Sequence, residues 1–369
     1  MPAIDSAMNN PYSISMDATL TSPNVSAPLS EGIEVIMGAN AQIAKHLERI
    51  RWGTDGAIYR LCDYEKTLYH VPGARFLAIR KQGQLVALRL LVEKHIPWQG
   101  KPLQAFYHGL FSVAPEEQRK GYGRMLAQGT LDYIRTRSEP RSVTYAFIEA
   151  GNHRSLRISE SLGYQAIGTF HALWFSRLHP KTSSRLSPLA KNDTPELING
   201  LHRQYQDHAL PDFSVSLQRN SCRILRDDGK IMAGLQAEPQ HWVFESLGGT
   251  GGFLAVKVLP YVPVLGNLFN PRDFRFLKIG NLFFAPGRAE AASELLEATL
   301  AGSGRKVALL FIDKKSPIYR EWLSKSGGLG ILNALAEVEV HVMGRFQGFP
   351  KEEMMEFTRR PLSISPTDL

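Results

Sequence analysis

The sequence predicts an α+β fold, a central mixed and twisted sheet with flanking helices, present in two tandem copies. Segments of alternating apolar and polar residues are interleaved with segments of helical periodicity, first over residues 32–178 and again beyond 190. The two stretches also echo each other in their letters. Val143-Thr-Tyr-Ala-Phe-Ile-Glu149 answers Val307-Ala-Leu-Leu-Phe-Ile-Asp313, and Leu110-Phe111 answers Leu282-Phe283-Phe284. Any two α/β units share such an order of elements, so the duplication is an expectation for the structure to decide.

Taken in order, Ile33 to Met37 reads as a strand and Ala41 to Ile50 as an amphipathic helix. Arg75 to Arg80 and Gln84 to Glu93 form a hairpin around Lys81-Gln82-Gly83. Ala105 to Val113 is a strand. Gly121 to Arg137 is a helix, because Tyr122, Leu126, Thr130, Tyr133 and Ile134 recur at helical spacing. Ser142 to Glu149, His153 to Leu162 and Gln165 to Arg177 are strand, helix and strand, with Gly163 ending the helix. In the second stretch Phe274 to Phe284, Lys306 to Asp313 and Ala336 to Phe346 are strands, and Arg288 to Ala301 and Pro317 to Lys325 are helices.

These elements give a domain plan: a disordered tail over 1–30, a first unit over 31–178, a linker over 179–190, a second unit over 191–350 and a C-terminal tail over 351–369. The length of 369 residues suits two units, and 43% apolar residues supply a core to each. No apolar run is long enough to span a membrane, and no basic segment followed by an apolar one opens the chain, so a cytoplasmic location is expected. Cys62 and Cys222 alone make neither a disulfide framework nor a metal site. The net charge of +8 is spread along the chain and reads first as a solvated basic surface; a phosphate-rich ligand also fits it, and nucleic acid is not expected.

The chemistry is concentrated between Leu110 and Leu126, where a strand, a turn and a helix start carry Gln118-Arg-Lys-Gly121-Tyr-Gly123-Arg124. A helix N-terminus presents unpaired N–H groups and a favourable dipole to an anion. Gly121 and Gly123 let the backbone approach a diphosphate, and Arg119, Lys120 and Arg124 add cationic contacts. The run lacks the third glycine of a dinucleotide fingerprint and the Gly-Lys-Ser/Thr of a Walker loop.

Val113 followed by Gly121 within Q-R-K-G-Y-G-R, together with Asn152 and Ser159-Glu-Ser-Leu-Gly163-Tyr164, resembles the signature of the GNAT acyl-CoA-dependent N-acyltransferases. The resemblance covers residues 32–178 and is strongest over 105–170. It implies acetyl-CoA or another acyl-CoA as co-substrate, no metal, and a small-molecule or peptide amine as acceptor, with a homodimer left open. Carried over, Phe111, Ser112 and Val113 would face the pantetheine arm at a β-bulge. Gln118, Arg119, Lys120, Gly121, Tyr122, Gly123 and Arg124 would cradle the pyrophosphate, and Asn152 would bind the cofactor beside the next strand.

The resemblance also implies a base and an acid, and here this chain departs from the family. The usual acid is a tyrosine seven residues after the asparagine, where this chain has Ser159. Base positions on the bulged strand fall on Tyr107 and Gly109, and Glu149 at the end of the next strand is a further candidate. Strand alternation puts His108 on the opposite face from Tyr107, so it reads as a packed or surface histidine, as does His171. Trp174 and Phe175 read as core, and pocket depth near Tyr107 and Phe147 would set acyl length.

In the second copy the segment Leu282 to Ala291 is short and lacks the paired glycines. It is expected not to bind coenzyme A but to pack on the first unit and shape the acceptor site. Gly248 to Gly252 reads as a loop, and Val256 to Asn270 as a flap over a cleft or a hydrophobic surface loop. Two further readings stand beside the enzyme: a non-catalytic acyl-CoA sensor or scaffold, which Ser159 favours, and an aminoacyl-tRNA-dependent transferase, which the intact phosphate loop disfavours.

Overall fold

A computed structural model describes residues 32–53, 56–64, 68, 71–213, 221–248, 252–335, 338–365 and 368. The expected tail over 1–30 lies outside them, as do three residues of the Gly248–Gly252 segment. The first unit contributes β1 (Ile33–Met37), α1 (Ala41–Glu48), β2 (Ile58–Leu61), β3 (Ala74–Lys81), β4 (Gln84–Trp98), β5 (Lys101–Val113), α2 (Tyr122–Arg135), β6 (Ser142–Glu149), α3 (His153–Ser161) and β7 (Gln165–Ser176). The second contributes β8 (Leu186–Pro188), β9 (Cys222–Asp227), β10 (Lys230–Ser246), β11 (Phe274–Phe284), β12 (Val307–Ile312) and β13 (Val338–Gln347). Its helices include Thr194–Gln204, Ala289–Ser303, Pro317–Lys325 and Lys351–Arg359.

All of these strands join one sheet in the order β1-β3-β4-β5-β6-β13-β7-β12-β11-β10-β9-β8, and β2 pairs with β10. The order at the centre is the informative part. β13, the last strand of the second unit, lies between β6 and β7 of the first. β7, the last strand of the first unit, pairs in turn with β12 of the second. Each unit therefore closes its sheet with a strand from the other, and their cores are continuous across the exchange.

The duplication holds at the level of register. In the first unit Leu88 faces Ser112 but Leu90 faces Gly109, so β5 carries an extra residue, and Leu110 takes φ of 48°. In the second, Gly234 faces Phe283 but Gln236 faces Gly280, and Asn281 takes φ of 51°. Below each bulge runs a short parallel pairing: Gln104–Tyr107 with Ser142–Tyr145, and Leu277–Ile279 with Ala308–Leu310. Above it the strands part.

Three segments differ from expectation. The stretch 179–190 includes β8, which adds to β9 because its backbone finds an open sheet edge. Residues 351–369, expected as a tail, instead carry the helix Lys351–Arg359 and then return to the interior, where Phe357, Leu362 and Asp368 are buried. The stretch 256–270 is built of short helical turns anchored by buried Val256 and Leu268, with Val258, Tyr261 and Val264 exposed.

A buried charge cluster holds the returning chain. Lys94 Nζ donates to Asp212 at 3.2 Å and to Asp368 at 2.6 Å, with all three side chains under 10% exposed. Tyr145 Oη also donates to Asp368 at 2.8 Å. Removing the cation leaves two carboxylates without water or counter-charge. Lys94→Met is expected to lower the unfolding free energy by about 3–5 kcal/mol, read as a lower denaturant midpoint at an unchanged slope.

Candidate active site

The bulge sets which side chains meet. Below it, alternation sends Tyr107 and Gly109 toward α1 and sends Phe106 and His108 toward α2 and α3. The extra residue reverses the parity, so Phe111 and Val113 pack on the α2 side while Ser112 turns to α1. Ser112 is occupied there: its hydroxyl donates to Nε2 of His46 at 3.1 Å, since Nδ1 of that ring faces the Leu85 carbonyl. Gly109 has no room for a side chain, because a Cβ would lie 2.5 Å from the Tyr107 hydroxyl.

Where β5 and β6 part, a cavity opens through the sheet, with about 1690 Å³ of protein-free space including its mouth. From the first unit it is lined by Arg89, His108, Phe111, Glu149, Asn152 and Tyr164, among others. The second unit supplies Trp242, Phe276, Lys278 and Phe311, so both copies build one site. Of the cofactor-binding and catalytic candidates named from the sequence, Phe111, Glu149, Asn152 and Ser159 line this cavity, as do His108, Gly109, Phe147 and Tyr164. Tyr107 lies beneath it, fully buried against Tyr145 and Phe147.

A second hollow of about 1070 Å³ surrounds the start of α2. Gly121 is its N-cap at φ of 88°, a left-handed conformation that glycine adopts at little cost. Val113, Arg119, Gly121, Tyr122, Gly123 and Arg124 line it. A Cβ on Gly123 would meet only ordinary contacts at 3.6 Å or more, so packing does not require its bare backbone. Lys120 and Gln118 are engaged elsewhere: Lys120 Nζ donates to Glu117 at 3.0 Å and Gln118 Nε2 to the Val113 carbonyl at 3.3 Å. Two further arginines line the hollow, Arg154 and Arg157 on the first turns of α3. Ile158, on the same helix, lines both the cradle and the central cavity.

Glu149 accepts a hydrogen bond from Tyr59 Oη at 3.0 Å. Burial raises its pKa above the usual carboxylate range, partly opposed by that hydrogen bond. On the other wall, Arg89 Nη2 donates to His108 Nδ1 at 2.6 Å. The guanidinium cannot accept, so Nδ1 is the bare nitrogen, and Nε2–H donates to Tyr164 Oη at 2.9 Å. The Tyr164 proton is then directed away from His108. Burial pushes the Tyr164 pKa up to about 12, and burial, then Arg89, holds that of His108 well below its usual value. Asn152 caps α3 by accepting from Ser155 N–H at 3.1 Å.

Sequence reasoning missed Arg89, Tyr59, Arg154, Arg157 and Asp368. Arg89 had a visible signal, as the charged residue within the apolar run Leu85–Val92, and Arg154 with Arg157 is a basic pair one helical turn apart. Tyr59 and Asp368 had none, since only the strand exchange and the returning C-terminal segment bring them in. His171, expected as core or surface, is nearly buried beside Glu339, and Trp174 and Phe175 are core as expected.

The family described as "Acetyltransferase (GNAT) domain" matches residues 52–166, which span β2 to the start of β7 and contain the first-unit walls of both hollows except Phe170. That stretch of the first unit matches the GNAT domain family. No curated protein sequence matches the chain. Among solved structures, N-myristoyltransferase from Saccharomyces cerevisiae with bound myristoyl-CoA is similar over 92% of this chain and 90% of its own, at TM-score 0.59 and 12% identity. A further structure of that yeast enzyme with bound myristoyl-CoA gives 0.58 and 12% over 93% and 87%. A GCN5-related N-acetyltransferase from Sphaerobacter thermophilus gives 0.48 and 12% over 86% and 96%. The likeness to the yeast enzyme extends over both units, at identities that speak for fold alone.

The GNAT cradle makes a quantitative expectation. Charge-assisted hydrogen bonds are worth about 1.5–3 kcal/mol, so Arg124→Ala and Arg157→Ala should each weaken coenzyme A binding at least about tenfold. Lys120→Ala, whose charge is taken by Glu117, should change it less than about threefold. Titration calorimetry at constant salt reads both.

Proposed function

We propose that the protein transfers an acyl group from acyl-CoA to an amine. The observation that carries this reading is the adjacency of the two hollows: a basic, glycine-lined helix start shares Ile158 as a wall with the gap between β5 and β6. A diphosphate seated at the first places its pantetheine arm in the second, against backbone that the bulge has released from the ladder.

In the reaction the amine nitrogen attacks the thioester carbonyl, the C–N bond forms and the C–S bond breaks. Glu149, a carboxylate with a raised pKa, takes the ammonium proton. Backbone N–H groups at the bulge face the developing oxyanion. Tyr164, held by His108 with its own proton outward, donates a hydrogen bond to the departing thiolate, the role that Ser159 would fill by motif position. The second unit shapes the far end of the cavity. Its aromatic wall of Trp242 and Phe276 leaves room for an acyl group longer than acetyl or for an apolar acceptor. A binding-only acyl-CoA sensor is the second reading, favoured by the serine at 159.

Thiol release from acyl-CoA over a panel of amines tests this. Glu149→Gln should lower kcat/KM by about 10²–10⁴-fold. The carboxylate must be ionised to act, so kcat/KM should rise with pH through the raised pKa of Glu149. Tyr59→Phe removes a hydrogen bond to the ionised form, which raises that pKa further, so the rise should move to higher pH. Coenzyme A binding with no thiol release on any amine would leave the sensor reading standing.

A further inference from the structure

We propose that Arg89 forms a carboxylate-binding subsite in the central cavity, so that one of the two substrates carries a carboxylate there. This deepens the acyltransfer reading and rests on it. Arg89 is 6% exposed and lines the cavity on the α2 side of the sheet. Its guanidinium donates to His108, lies 4.8 Å from the centre of the Phe111 ring, and leaves a buried Nε–H with no partner. Among the described residues no carboxylate pairs with it. The two acids that line the same cavity are committed elsewhere, Glu149 to Tyr59 and Asp368 to Lys94 and Tyr145.

A buried cation without a counter-ion costs several kcal/mol, and the fold itself does not ask for one. The second copy supplies the control. Its bulge has the same register, and the residue that faces it in the place of Arg89 is Leu235, fully buried; the place of His108 is taken by Ile279. The same bulge is thus built from an apolar pair in one half and from an arginine and a histidine in the half that carries the cradle.

The missing partner is therefore an anion, and its chemistry follows from the site. The planar guanidinium suits a carboxylate, two oxygens against two N–H groups. Of the two cations that line the cavity, Lys278 donates to the Asp368 carbonyl at 3.0 Å, so the guanidinium of Arg89 matches a single negative charge. The pyrophosphate has its own arginines, and the Phe111 ring separates them from Arg89, with Arg89 at 4.8 Å from its centre and a Gly123 Cβ position 3.6 Å from its edge. Two sources offer such a carboxylate: the far end of a dicarboxylic acyl chain, or the α-carboxylate of an amino-acid acceptor.

The experiment compares matched pairs with the full-length protein. One arm sets succinyl-CoA against butyryl-CoA with a neutral amine. The other sets phenylalanine against phenethylamine with one acyl-CoA. The wild type should prefer the carboxylate member of one pair by about ten- to a hundredfold in kcat/KM, and the pair identifies the source. Arg89→Leu, the residue of the second copy, should bring that ratio close to one, and Arg89→Lys should retain part of it. Equal use of both members in both pairs by the wild type overturns the proposal. So does an Arg89→Leu variant that slows both members alike and keeps the ratio, since that places Arg89 at the oxyanion or in the scaffold. Should Arg89→Leu not fold, Arg89→Gln takes its place with the same readout. If no amine is acylated at all, the acyltransfer reading fails separately. The subsite is then decided by Kd for the same two acyl-CoAs, and for the amino acid and amine with coenzyme A bound. A preference lost on changing Arg89 upholds it, and equal affinities overturn it.

Discussion

Leu110 sits in the middle of a β-strand with its backbone in the left-handed region, a conformation that costs a leucine about 1–3 kcal/mol. The geometry of the site depends on that residue. It inserts an extra position into β5, reverses which residues face which side above it, and ends the pairing of β5 with β6. Phe111 and Val113 are thereby turned toward the start of α2, and the gap between the strands is left for a ligand. Gly109 beside it keeps the Tyr107 hydroxyl in place, so the strain is supported by packing below the bulge.

The exchange of β7 and β13 acts at longer range. By placing β13 against β6, it keeps the far side of the parted strands paired up to Glu149, where β6 ends. β2 adds to β10 of the opposite unit and carries Tyr59 to Glu149 and to a stack on Trp242 at 4.5 Å. The cavity is accordingly aromatic where the second unit lines it, while the basic hollow at the start of α2 is lined by first-unit residues. The second copy has kept the bulge and the parting strands but lost the cradle, and its side chains serve the first.

Much of this was legible in the letters because it is local. The alternation over Ser142–Glu149, Gln165–Ser176 and Phe274–Phe284 fixed those strands to within a residue or two, and the repeat of the Val143 and Val307 segments showed the duplication. The helix start at Gly121 was legible for the same reason, since glycines and cations in sequence are cations in space there. What failed was long-range. The strand exchange leaves no periodicity to read. Asp368 meets Lys94 across more than two hundred residues, and β8 and the helix Lys351–Arg359 lie in polar stretches that read as linker and tail. The ion pair of Lys120 with Glu117 was not legible, since composition alone cannot say which cation of a turn is paired within it.

The exchange of strands also has a consequence for how the molecule is made. A chain emerging from the ribosome completes α2, α3 and the cradle early, yet β6 keeps an open hydrogen-bonding edge until β13 has been synthesised. Domains otherwise tend to fold as units, N-terminal first. Here the nascent first half must wait, with a sticky strand edge exposed, for most of the second half to arrive. A fragment ending after β7 would hold every motif residue and still present the unpaired edges of β6 and β7 to solvent, a surface suited to aggregation or to trapping by chaperones. Catalytic competence, on this plan, is a property acquired at the end of translation and all at once.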